Sequence, residues 1–152
     1  MQNLYPVHQQ EQLRANSYWP ILIIYFYLMI KPVYTDKAPK VVGPYSQAIM
    51  KGDMIFCSGQ IGIDPQSGEL VEGIESQTKQ VMKNLEQVLT AAGATFQQVV
   101  KTTIFITDMN NYATVNEAYA SFFSEHKPAR STVAVAALPK AALVEIEMIA
   151  IR

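Results

Sequence analysis

Apolar positions change their period several times along this chain, and each change marks an element. Tyr45 to Met50 (YSQAIM) and Met54 to Ser58 (MIFCS) have strand composition and are joined by Lys51-Gly52-Asp53, a hairpin-type turn. Asp64-Pro65-Gln66-Ser67-Gly68 is a second turn, because Pro fixes φ and Gly is free to take positive φ. The period then lengthens. Ile74, Val81, Met82, Leu85, Val88, Leu89 and Ala92 recur at three- and four-residue spacings, which predicts a helix from Ile74 to Ala92 with Gly93 ending it. Val99 to Thr107 (VVKTTIFIT) is β-branched and aromatic, the composition of a central strand. Asp108 and Asn110 offer N-caps for a second helix carrying Tyr112, Val115, Tyr119, Phe122 and Phe123 on its apolar stripe, and Pro128 closes it. Ser131 to Ala137 and Leu143 to Ile151 read as two last strands on either side of Leu138-Pro139-Lys140.

The order β-β-(β)-α-β-α-β-β predicts an α+β domain, with two helices covering one face of a five- or six-stranded sheet. The other face must then meet water or another subunit. The last strand sets Val144, Ile146, Met148 and Ala150 on one side, and Leu143, Glu145, Glu147, Ile149 and Ile151 on the other. Apolar residues on both sides predict a homo-oligomer packed through the sheet face.

Charge divides the chain. Residues 1 to 28 carry only Glu11 and Arg14, and they run into the most apolar stretch, Tyr18 to Ile30. That stretch is too short to span a bilayer, which takes about 20 residues. No net positive charge precedes it and no small-residue cleavage site follows, so it lacks the marks of a secretory signal. Residues 1–28 are expected to be an N-terminal extension outside the fold, with one domain over 29–152.

Composition narrows the function. A hydrophobic share of 49% with 16% charged residues fits a packed globule, and a net charge of -1 without a basic stripe argues against a nucleic-acid surface. The single cysteine, Cys57, excludes an internal disulfide framework and a multi-cysteine metal site. There is no Gly-rich phosphate loop, GxSxG or HExxH. Cys57 is expected to be a small apolar filler, and His126 a helix C-terminal cap or dipole partner. The expected protein is cytoplasmic, with no cofactor, no metal and no membrane or nucleic-acid partner.

Two features point to chemistry. After Met29 there are nine lysines but only two arginines, Arg130 and the terminal Arg152. Arg130 follows Lys127-Pro128-Ala129 at the start of a strand, so its guanidinium fork is held either for a ligand carboxylate or for an ordinary surface ion pair. Glu145 and Glu147 point to the same side of an apolar strand. They are either rim or interface acids, or carboxylates that position or deprotonate a water molecule.

Several motifs occur in the order of one known family: Tyr34-Thr35-Asp36-Lys37-Ala38-Pro39, Gly43-Pro44-Tyr45-Ser46-Gln47-Ala48, Cys57-Ser58-Gly59-Gln60-Ile61, Ala91-Ala92-Gly93, Val100-Lys101-Thr102-Thr103, Pro128-Ala129-Arg130-Ser131 and Val144-Glu145-Ile146-Glu147. From Met29 to Arg152 the chain resembles the RidA (YjgF) family of reactive-intermediate deaminases. The resemblance implies a chorismate-mutase-like α+β protomer with a mixed sheet, assembled as a homotrimer with sites between subunits. It implies hydrolysis of 2-imino acids, or their 2-enamino tautomers, to 2-keto acids and ammonia, without a cofactor. These intermediates are products of pyridoxal-phosphate-dependent dehydratases. On the matching positions, Arg130 is the carboxylate-binding arginine and Glu145 the acid that helps hold the hydrolytic water. Tyr45, Gly59 and Asn116 line the pocket, and Thr132 stands where close bacterial relatives often have Cys. The segment from Phe123 to Pro128 is short beside some relatives. The alternative functions are a non-catalytic ligand-binding regulatory module of the same fold and, third, RNA cleavage.

Overall fold

The computed structural model of the chain describes residues 29–152; the expected extension, residues 1–28, lies outside the described residues. A six-stranded sheet runs in the order β1-β2-β3-β6-β4-β5, built from β1 Ile30–Val33, β2 Ala48–Lys51, β3 Met54–Ile61, β4 Val99–Ile106, β5 Ala129–Ala134 and β6 Val144–Ile151. Only β4 and β5 are parallel. They are joined by a crossover containing helix α2 Tyr112–Ala120, as a parallel pair requires. Helix α1 Ile74–Ala91 connects β3 to β4.

The hairpin forms where the turn residues place it: Lys51 pairs with Met54, and Gly52 takes φ 59°. The additional strand lies ahead of this hairpin instead of following it. Pro32 is tolerated in β1 because β1 is the sheet's edge. Between β3 and α1 there is only one isolated bridge, Ile63 to Leu70.

Helix α1 follows its pattern closely. Val81, Met82, Leu85, Val88 and Leu89 are fully buried against the sheet. Gly93 at φ 76° lets the chain turn back, with Gly93 N–H donating to the Thr90 carbonyl and Ala94 N–H to that of Leu89. The second helix is shorter than its apolar stripe suggests. Asp108 accepts a hydrogen bond from Asn110 N–H and caps a 3₁₀ turn over Met109–Asn111, while Asn110 caps nothing. α2 ends at Ala120, so Phe122 and Phe123 lie beyond it and still pack against Phe96.

Both helices sit on the face carrying Val144, Ile146, Met148 and Ala150, all buried. On the opposite face of the described chain, Met54, Phe56, Val133 and Ile151 remain exposed. The sheet is therefore two-sided in composition but one-sided in cover.

Candidate functional site

The fork at Arg130 is set by β5 and α2. Arg130 pairs with Thr102 of β4, and Thr102 with Met148 of β6, which places its side chain on the helix-covered face at the sheet's β5 edge. Three residues of α2 at i, i+4 and i+7 meet it there. Asn116 Oδ1 accepts from Nη2 at 2.9 Å, and Tyr112 Oη accepts from the same nitrogen at 3.2 Å. The guanidinium carbon lies 5.0 Å from the centre of the Tyr119 ring, a cation–π geometry. Tyr119 is itself fixed, since it is buried and its hydroxyl shares a 3.1 Å hydrogen bond with Thr102. Among the described residues Arg130 has no carboxylate partner, so no ion pair within this part of the chain accounts for its placement. Thr132, two residues on, shares the same face of β5 and is half-buried.

Glu145 lies elsewhere. It pairs with Phe105 of β4, which pairs with Val133 of β5, so its side chain stands on the open face of the sheet. A bulge in β3 lies beside it: Cys57 pairs with Met148, but Gln60 pairs with Ile146, leaving one extra residue in the Ser58–Gly59 stretch. Gly59 leaves room for the Glu145 carboxyl, whose oxygen occupies the space a β-carbon there would fill. Burial pushes the Glu145 pKa up, and the neighbouring Glu147 charge adds to the rise. A carboxyl shifted in this direction is better matched to exchanging a proton near neutral pH than an ordinary surface glutamate.

Gly59 and Tyr45 also line a cleft of about 520 Å³, with Pro39, Val42, Pro139 and Lys140 among its walls. Tyr45 is 49% exposed in the described chain. One lip is held by the buried Gln47, whose amide accepts from Thr35 N–H and donates to the carbonyls of Thr35 and Pro39. The buried Gln77 of α1 accepts from Leu143 N–H at 2.8 Å and donates to the Val71 carbonyl at 3.0 Å, tying the helix to the segment before β6. Before Leu143, Lys140 and Ala141 both take φ 55°, each costing roughly 1–2 kcal/mol outside glycine.

One chain thus brings Arg130, Asn116 and Thr132 together, and separately Tyr45, Gly59 and Glu145. It does not bring the two groups together, because they occupy opposite faces of the sheet. Sequence reasoning missed Tyr112 and Tyr119 as partners of Arg130, having placed both on an apolar stripe. It also missed Gln47, Gln77 and Lys140. Cys57 is buried with its thiol pushed up to about 12, as expected of an apolar filler. His126 does not cap α2: its Nε2 donates to the Val99 carbonyl at 2.6 Å and ties the loop before β5 to β4. Among the described residues no His, Cys, Asp and Glu cluster is arranged to hold a metal, and no helix is long and apolar enough to cross a membrane.

Comparison with known proteins bears on this arrangement. The chain is 50% identical over 123 residues to the 2-iminobutanoate/2-iminopropanoate deaminase of Mus musculus, covering 80% of this chain and 91% of that one. It is similar in structure to a putative endoribonuclease from Thermotoga maritima, with TM-score 0.79 and 52% identity over 82% of this chain and 98% of the other. Escherichia coli TdcF, solved with bound serine, gives TM-score 0.78 and 44% identity over 80% and 98% of the two chains. The family described as Endoribonuclease L-PSP matches residues 35–152, so that the ordered motifs, the six-stranded sheet with two helices and these relatives agree: the chain belongs to the L-PSP/Rid family.

Proposed function

We propose that the protein hydrolyses 2-imino acids, or their 2-enamino tautomers, to 2-keto acids and ammonia. The observation that carries this reading is the Arg130 guanidinium, held by Asn116, Tyr112 and the Tyr119 ring with no acid beside it among the described residues. Such a fork suits a substrate carboxylate. The name of the mouse relative, a 2-iminobutanoate/2-iminopropanoate deaminase, supports the substrate class, and serine bound to TdcF is a small molecule bearing a carboxylate.

The chemistry needs little machinery. A protonated imine carbon is already electrophilic, so fixing the carboxylate and presenting a water mainly supplies proximity. Glu145 takes a proton as the water oxygen bonds to the C=N carbon, giving a carbinolamine. It returns that proton to nitrogen. As the C–N bond breaks, the carbinolamine hydroxyl passes its own proton back to the Glu145 carboxylate and the C=O bond of the keto acid forms. The carboxyl then gives that proton to the departing ammonia, which leaves as ammonium. Tyr45, Gly59 and Thr132 shape the site around this exchange. Because Arg130 and Glu145 face opposite sides of one sheet, the reading requires the fork of one copy to meet Glu145 of another. The exposed Met54, Phe56, Val133 and Ile151 face is suited to that contact, and a homotrimer closes it with three equivalent sites.

The test couples the purified protein to a threonine dehydratase and follows release of 2-oxobutanoate. The expected result is acceleration by the unaltered protein. Arg130→Ala should lower kcat/KM by roughly ten- to a hundredfold, because a charge-assisted hydrogen-bond pair is worth roughly 1.5–3 kcal/mol. Arg130→Lys should be a poor substitute, since it lacks the fork. Co-assembly of Arg130→Ala and Glu145→Ala chains should restore part of the rate if the two residues meet across subunits. An unchanged rate in Arg130→Ala refutes the reading.

RNA cleavage, suggested by the family description, is less favoured by the residues. His126 is the single histidine of the described region and is occupied by a backbone carbonyl, and no basic stripe accompanies it.

A further inference from the structure

We propose that the Tyr112 hydroxyl is a third donor for the substrate carboxylate, acting beside the guanidinium of Arg130; this rests on the deaminase reading above. In a guanidinium, Nη2 belongs to both edges that can fork a carboxylate, the Nη1/Nη2 edge and the Nε/Nη2 edge. Here Nη2 donates both to Asn116 Oδ1 at 2.9 Å and to Tyr112 Oη at 3.2 Å. Its two hydrogens are therefore committed, and a carboxylate docking in bidentate fashion must take one of them.

The bond to Tyr112 is the one that yields. It lies at the long end of the range for N–H···O bonds, while the Asn116 bond has the ordinary length. Tyr112 is 42% exposed and outside the hydrophobic core, whereas Asn116 is half-buried.

A tyrosine hydroxyl both accepts and donates. Accepting from Nη2 leaves its own hydrogen directed away from the guanidinium, and no acceptor among the described residues takes that hydrogen. A carboxylate seated on the fork arrives where this hydrogen points. The hydroxyl then exchanges its role, releasing Nη2 and donating to the carboxylate.

The position is firmly set. Tyr112 opens α2, Asp108 caps the turn before it, and Asn116 and Tyr119 follow on the same stripe against Arg130. Donors on a helix anchored this way need little reordering when ligand binds.

The experiment removes the oxygen alone with Tyr112→Phe and compares it with Arg130→Ala in two measurements. One is steady-state deamination in the dehydratase-coupled assay, and the other is calorimetric binding of 2-oxobutanoate. One neutral donor lost should raise KM and the 2-oxobutanoate Kd by roughly fivefold each, with kcat within about twofold and an unchanged melting temperature. Unchanged KM and Kd in Tyr112→Phe, alongside large rises in Arg130→Ala, overturn the proposal. A fall in kcat without a rise in KM overturns it as well. Should the unaltered protein bind 2-oxobutanoate but fail to accelerate imine hydrolysis, the deaminase reading falls, and the Kd comparison still decides the role of Tyr112. Absence of both 2-oxobutanoate binding and acceleration of imine hydrolysis overturns both.

Discussion

Gly59→Ala isolates the contact between the β3 bulge and Glu145. A β-carbon at Gly59 would overlap Glu145 Oε1 and lie 2.8 Å from its Cδ and 3.0 Å from its Cγ. Carbon atoms in comfortable contact sit about 3.5–4.0 Å apart, so the carboxyl group must retreat by roughly 1 Å. The atoms that give way are the end of a flexible, half-buried side chain. The overpacking penalty should therefore fall at the low end, about 1 kcal/mol, and shift the melting temperature by only a few degrees. Activity has no such slack. With Glu145 in its proposed role of presenting the reacting water, a displacement of 1 Å costs on the order of a hundredfold, so kcat/KM should fall by about that factor while the protein stays folded. The dehydratase-coupled assay reads the first quantity and urea unfolding the second. A double-mutant cycle then identifies the cause: added to Glu145→Ala, the Gly59→Ala change should alter the rate by less than about twofold, because its target has already gone. Activity within twofold of the unaltered protein, or full additivity of the two changes, would refute the assignment of this contact to catalysis.

The remaining predictions concern titration and packing. Burial and Glu147 raise the Glu145 pKa, so the folded protein holds that proton more tightly than the unfolded chain. Stability should decline as pH rises from the ordinary glutamate value of about 4.3 through the raised value. Glu145→Gln should therefore be the more stable protein at pH 7, by less than about 1 kcal/mol given solvent screening, and lose that advantage near pH 4; a pH-independent difference in urea midpoints contradicts this. With its thiol pushed up to about 12, Cys57 should react with a disulfide reagent at pH 8 roughly a thousandfold more slowly in the native protein than in urea, and comparable rates would show the side chain to be accessible. Gly62→Ala differs from the Gly59 change because its β-carbon would sit 2.7 Å from Gln77 Cα, which is α1 backbone. It should cost about 2–3 kcal/mol, and a smaller loss than that of Gly59→Ala in urea unfolding would show that the helix can move.

Much of the fold was legible because burial is one-sided. The α1 stripe and Gly93 define both the helix face and its end, and the alternation in β6 separates the covered face of the sheet from the open one. The polar part of the core was not legible. Gln77, Thr78 and Asn84 are buried in α1 although no periodicity marks them, because each is satisfied by a specific partner. For Gln77 and Asn84 these partners include distant backbone, such as Leu143 N–H and the Ile63 carbonyl. The same limit applies at the site. Arg130 stood out as a rare arginine behind Pro128, but Tyr112 and Tyr119 share the spacing that places an aromatic in a core, and only coordinates separate those uses. The paired positive φ values at Lys140 and Ala141 leave no trace in residue type, since neither residue is one that favours that region.

Arg130 and Glu145 are each left in an environment that folding alone would not select. Evolution of a stable monomer would give the half-buried guanidinium an acid and would move a carboxyl away from both desolvation and a like charge. Neither has happened: the described residues supply Arg130 with neutral acceptors and an aromatic ring, and they set Glu145 beside Glu147. Local violations of this kind mark places where function outweighs stability. The opposed placement on the sheet adds a reason for keeping them in one chain yet apart. Were the two within reach of each other, they would form an ion pair, consuming the fork and lowering the Glu145 pKa. Held on opposite faces, they stay apart within one chain, and in the proposed reaction it is a neighbouring copy and the substrate's own carboxylate that complete the site.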